Sequence, residues 1–127
     1  MYSKKILAAQ GVRPHIVTAS ASFLGDDICI AVGGGTHKHI GAVALAVYEP
    51  LRDSATVSCV SVHTHRDDTV AAYFAKAVSR EMKCTVTVSA GLHVDDAAED
   101  DIRILKENSA KCCDELISML KNAAEVK

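Results

Sequence analysis

From Val12 to Phe23 the chain alternates loosely between apolar and small polar residues, and this period of two predicts a first strand. The turn Leu24-Gly25-Asp26-Asp27 ends it. Ile28 to Val32 is a short apolar second strand running into a loop, Gly33-Gly34-Gly35-Thr36. Ile40 to Tyr48 is apolar on both faces, which predicts a central third strand. After a turn at Glu49-Pro50, Ala55 to His63 sets Val57 and Cys59 against Thr56 and Ser58, a fourth strand. The period then changes. Val70, Phe74, Ala77, Val78 and Met82 recur at intervals of three and four, predicting an amphipathic helix over Asp67 to Met82 with Asp67 or Asp68 as its N-cap. Cys84 to Ser89 is a fifth strand, ended by Ala90-Gly91. Ala97 to about Val126 is a long helix whose stripe is Ile102, Leu105, Ser109, Cys112, Leu116, Met119 or Leu120, and Ala123. Glu99, Asp100 and Asp101 suit the positive end of its dipole.

The order β-β-β-β-α-β-α predicts an α+β fold: a mostly antiparallel five-stranded sheet with two helices packed on one face. With 127 residues and no linker or internal repeat, residues 1–127 are expected to form a single domain. The net charge of −2, from 14 basic and 16 acidic residues, offers no basic field for a polyanion, so nucleic acid is not an expected partner. No apolar run approaches the ~18 residues of a membrane span. The apolar stretch near the N-terminus is cut short by Arg13 and His15, too early for a signal peptide. Five cysteines without a C-x-x-C pair predict reduced thiols in a cytoplasmic protein. Cys59 lies mid-strand and Cys112-Cys113 mid-helix, so burial is expected for all three. Only five aromatic residues are present, which predicts an aliphatic core and argues against a flat ligand held between several rings.

The chemistry lies in the histidines. There are six, and five fall in three short segments: Gly33 to Gly41, containing His37 and His39; His63-Thr64-His65-Arg66-Asp67-Asp68; and Gly91-Leu92-His93-Val94-Asp95-Asp96. Each segment ends a predicted strand. If strands three and four form a hairpin and a parallel crossover leads to strand five, all three segments reach one end of one sheet. One imidazole from each, His39, His65 and His93, can then supply three nitrogens to a divalent transition metal and leave positions open. Asp67, Asp68, Asp95 or Asp96 can add a carboxylate or fix a ring tautomer. The competing reading is that individual histidines cap strands or face solvent. His15, beside Pro14, is expected to be structural or exposed. Gly33-Gly34-Gly35, with Thr36 and Lys38, can cradle a phosphate or simply form a flexible hairpin loop. Gly41, just inside a strand, marks a close backbone contact or a bulge.

Three stretches carry a resemblance: Lys38-His39-Ile40-Gly41-Ala42-Val43-Ala44, His65-Arg66-Asp67-Asp68, and Gly91-Leu92-His93-Val94-Asp95-Asp96. In order and spacing the chain resembles the small prenylated-flavin chaperones, the LpdD-like proteins, which accompany UbiD-type decarboxylases of aromatic acids. It departs from that pattern at Lys38, where the family has Pro, and at Asp96, where it has Asn. The resemblance implies a fold like that of proteasome-assembly chaperones, commonly dimeric, so a homodimer is expected. It implies binding of prenylated FMN, or FMN, and delivery to the large subunit of a UbiD-type decarboxylase. It carries His39, His65 and His93 over to the cofactor site, with or without a metal. Gly33, Gly34, Gly35, Thr36, His37, Lys38 and Arg66 complete the expected cofactor-binding set. Two other readings remain open: a small metal-dependent hydrolase or lyase using the same histidines, and an assembly partner in which they are incidental.

Overall fold

The computed structural model describes residues 4–62 and 67–125. In chain order they form β1 (Lys5–Gln10), β2 (Val17–Leu24), β3 (Asp27–Gly35), β4 (Ala42–Glu49), β5 (Ser54–Ser61), α1 (Asp67–Met82), β6 (Val86–His93) and α2 (Glu99–Glu125). The six strands make one sheet in the order β1-β2-β3-β6-β4-β5. Alternation decides which face is covered. Ile6 and Ala8 lie opposite Ala21 and Ala19, and the buried row continues through Ile28, Ile30 and Val32, then Val86, Val88 and Ala90, then Ala46, Ala44 and Ala42. Both helices cover that face, α2 over β1 and β2, α1 over β4, β5 and β6. Small residues let α1 approach closely: its inner positions Ala71, Phe74, Ala75 and Val78 share the core with the alanines of β4.

The α+β class, the β4–β5 hairpin and the two helices on one face agree with expectation. The sheet itself needs correction. It has six strands, because Lys5–Gln10 pairs along β2 as an extra edge. Two of its inward residues are Ile6 and Ala8, too little hydrophobic contrast to stand out in a sequence. The expected first strand begins only at Val17, past Pro14, which has no N–H to give a ladder. One strand pair, β3 with β6, is parallel. The Gly33–Gly35 run is not a loop but the last three residues of β3. Nor does Ala90-Gly91 end β6, which continues to His93. Among the described residues no helix is long and apolar enough to cross a membrane.

The helical thiols behave as core atoms. Cys112 and Cys113 are fully buried. Burial pushes their thiols from 9.0 to about 11 and about 12, and half-buried Cys84 to about 11. Cys59 departs from expectation: it is exposed, because β5 is the sheet edge. A native sample at about pH 8 is therefore expected to leave Cys112 and Cys113 unalkylated until denaturant is added, which mass mapping of the labelled thiols would check. The buried thiols keep their protons over a range where the unfolded chain has released them. Stability is then complete below about pH 9 and falls as pH rises towards about 12. A Cys113→Ala variant should show a shallower alkaline fall in its urea midpoint; an unchanged fall would assign it to other groups.

Candidate functional site

The parallel pairing of β3 and β6 places two strand ends side by side, with Gly33 opposite Gly91, Gly34 opposite Leu92 and Gly35 opposite His93. The chain must then reach β4 on the far side of β6, so residues 36–41 fold back across the end of β6. That crossing accounts for the local sequence. Gly35 turns the chain at φ 76°, and a Cβ there would overlap the His93 backbone. A Cβ on Gly91 would overlap the carbonyl oxygen of His39, and one on Gly41 would overlap Asp67 Oδ2. Gly41 therefore marks a close contact, one of its two expected roles. Backbone bonds pin the crossing: Thr36 N–H donates to the His93 carbonyl at 2.8 Å, and Gly41 N–H to the Ala90 carbonyl at 2.8 Å. The Val62 N–H donates to the Gly41 carbonyl at 2.7 Å.

These bonds revise the expected phosphate cradle. Gly35 N–H donates to the Ile16 carbonyl at 2.9 Å, and Thr36 spends both its N–H and its hydroxyl on the His93 carbonyl. Gly34 is buried under Leu92. The amides of Gly35 and Thr36 are thus spent within the fold, and Thr36, His37 and Lys38 are exposed beside them. The stem of Lys38 lies over Gly33.

The crossing gathers three imidazoles. The rings of His37 and His39 stack with centroids 6.4 Å apart at 20°. His93 stands nearly perpendicular to both, at 6.2 Å from His37 and 6.0 Å from His39. Two carboxylates back them. Asp67, the buried first residue of α1, accepts the Leu92 N–H on Oδ1 at 2.9 Å and has Oδ2 3.2 Å from His39 Nε2. Asp95 Oδ1 lies 2.8 Å from His93 Nε2. The hydrogen bond to Asp95 fixes the orientation of the His93 ring, whereas the Asp67 carboxylate lies beside His39 as a close charged neighbour.

Of the expected trio His39, His65 and His93, the first and third are neighbours; His65, with His63 and Arg66, lies outside the described residues. The third described ring is His37, which the resemblance sets among the cofactor-binding residues but outside the trio of candidate ligands. Its signal was the spacing of two from His39 on one short segment. Among the described residues no three His, Cys, Asp or Glu side chains are arranged to hold a metal. The reason is geometric. Imidazoles sharing one tetrahedral ion at Zn–N bonds of ~2.0–2.1 Å bring their centroids to roughly 5 Å, and here His39 and His93 each turn Nε2 to a carboxylate.

His15 is structural, as expected, and lies elsewhere. Its Nε2 is 2.7 Å from Asp101 Oδ1, and its carbonyl accepts from Asn108 Nδ2 at 2.8 Å. The hydrogen bond from His15 holds the Asp101 carboxyl below its ordinary value.

Comparison with known proteins places this geometry in context. The family model described as the prenylated flavin chaperone LpdD-like domain matches residues 11–121. Protein LpdD of Lactiplantibacillus plantarum is 26% identical over 98 residues, covering 77% of this chain and 72% of that protein. A chain from the crystal structure of a chaperone complex for yeast 20S proteasome assembly superposes with a TM-score of 0.62 at 15% identity. That superposition covers 96% of this chain and 98% of the other, and shows a shared fold.

Proposed function

The chain belongs to the LpdD-like prenylated flavin chaperone family, and from that premise we propose that it binds prenylated FMN at the histidine rim and releases it to a UbiD-type decarboxylase. The observation that carries this reading is the meeting of His37, His39 and His93 within about 6 Å of one another at one sheet end. Lys38 and the exposed His37 offer a charged group and an N–H donor to a phosphate monoester. Asp95 holds the His93 ring in place at little reorganisation cost on binding, and the Asp67 carboxylate lies beside His39. His93 is 40% exposed, so the rim is open enough to let a guest leave. Titrating the protein with prenylated FMN and following flavin absorbance tests the proposal. A His37→Ala/His39→Ala/His93→Ala variant is expected to bind at least ~10-fold more weakly, about 1.4 kcal/mol, and to fail to activate an apo-decarboxylase. Binding equal to that of the wild-type chain would remove the rim from the site.

The chaperone is proposed to act as a homodimer through the sheet face opposite the helices. That face exposes Leu7, Val43, Leu45, Val47 and Val60, which are 42–72% accessible. Among the described residues its charges stand towards the strand ends, on Lys5, Asp27 and Glu49 and on Lys38, whose stem lies over Gly33. An uncharged centre meets its own copy without repulsion. Light scattering is expected to give twice the 13.5 kDa chain mass, and a Leu45→Glu variant to give one. A monomeric wild-type chain at tens of micromolar would refute the dimer.

A further inference from the structure

A cavity of about 430 Å³ opens between α1 and α2 beside the histidine rim. Its volume is that of a small-molecule site. Val70 and Tyr73 of α1, Leu92 of β6, and Ile102 and Leu105 of α2 form apolar walls. Exposed Thr69 and Lys106 stand at the mouth. Two residues, Asp67 and Leu92, belong to both cavity and rim: the Asp67 carboxylate that faces His39 also accepts the Leu92 amide. The two spaces are therefore neighbours across a single side chain.

The floor holds an anomaly. Ser109 is only 4% exposed and lines the cavity, yet its hydroxyl has no hydrogen-bond partner among the described residues. It occupies a position of the α2 stripe otherwise filled by Leu105, Cys112 and Leu116. A buried serine in a helix ordinarily bonds back to the carbonyl four residues earlier. One that does not is destabilising where it stands, and a ligand atom would satisfy it.

We propose that this interhelical cavity seats the ring system of the flavin, with Ser109 hydrogen-bonding a polar atom on the ring edge while the phosphate-bearing tail lies on the histidine rim. The inference rests on the family-based reading of the rim and names where the rest of the ligand goes. The ring is flat, largely apolar on its faces and polar at one edge. The cavity offers apolar walls, one buried hydroxyl, the Asp67 carboxylate that it shares with the rim, and a lysine at the mouth.

Two variants of the full chain test the seat, each titrated with prenylated FMN and each followed by thermal unfolding. Ala110 of α2 also lines the cavity, so Ala110→Leu extends a side chain into it; this variant should bind at least ~10-fold more weakly while its unfolding midpoint holds or rises. Ser109→Ala deletes the unsatisfied hydroxyl. It should unfold about 3 °C higher and bind roughly 5-fold more weakly, a pairing that a merely structural serine does not give. Should Ala110→Leu fail to fold, Ser109→Ala decides alone. Wild-type affinity in the folded variants overturns the seat and leaves the rim standing. No binding by the wild-type chain overturns the reading of the rim, and the seat with it.

Discussion

Replacing Phe74 with alanine is expected to lower the unfolding free energy by about 3–5 kcal/mol, a large part of the ~5–15 kcal/mol that holds a domain together. Among the described residues Phe74 is the largest side chain buried completely. Its surroundings make the loss hard to recover. Ala71 and Ala75 flank it on α1, and the buried row of β4 beneath the helix is Ala42, Ala44 and Ala46. An alanine has no rotamer to swing into a void, so closing the hole needs movement of the helix backbone. Such movement reaches the site, because α1 begins at Asp67. Urea unfolding would show the loss as a lower midpoint at constant slope. A shallower slope would mean that the native state has loosened, and a loss below ~1 kcal/mol would mean that the helix had moved in. Phe74→Leu, which keeps most of the volume, should cost about 1–2 kcal/mol.

What the sequence disclosed follows from how far each signal reaches along the chain. Contrast within a helix is local. The spacing of Val70, Phe74, Val78 and Met82 gave the bounds Asp67–Met82 that the structure shows, and five stripe positions of α2 from Leu105 to Leu120 are buried as expected. The meeting of the first and third histidine segments is also legible, since it requires only the direction of each strand. The hairpin fixes β5 antiparallel to β4, and the helix crossover returns β6 parallel to β5 with β4 between them.

Partner choice is the part that local pattern does not encode. Nothing near Gly33 states that β6, some fifty residues later, slots between β3 and β4 and turns an expected hairpin loop into a crossing. In the sequence Gly91 stands as punctuation, because glycine is a common strand breaker. Here the missing side chain makes room for the crossing instead. The exposure of Cys59 was hidden for the same reason, because a mid-strand position is buried only where another element covers it, and β5 has a neighbour on one side alone.

The crossing therefore supplies the more informative test of the site. Gly91→Ala is expected to cost about 2–4 kcal/mol and to abolish prenylated FMN binding within the measurable range. The added Cβ would overlap the His39 carbonyl oxygen and sit 3.3 Å from the Gly41 nitrogen. Both are backbone atoms of the same short link, and neither can rotate away. Relief requires the link to lift from β6, which strains the bond from Gly41 to Ala90 and carries the His39 ring away from Asp67 and His93. Gly25→Ala is the matched control. Gly25 has a positive φ of 63° but nothing within 4 Å of its would-be Cβ. It should cost about 1 kcal/mol through backbone strain alone, with flavin affinity unchanged because the β2–β3 turn lies at the opposite end of the sheet. If both alanine variants bind alike, the rim does not depend on the crossing and the histidines are not held where the ligand needs them. If Gly91→Ala loses binding out of proportion to its stability while Gly25→Ala does not, the glycine opposite Gly33 is what keeps three imidazoles at one sheet end.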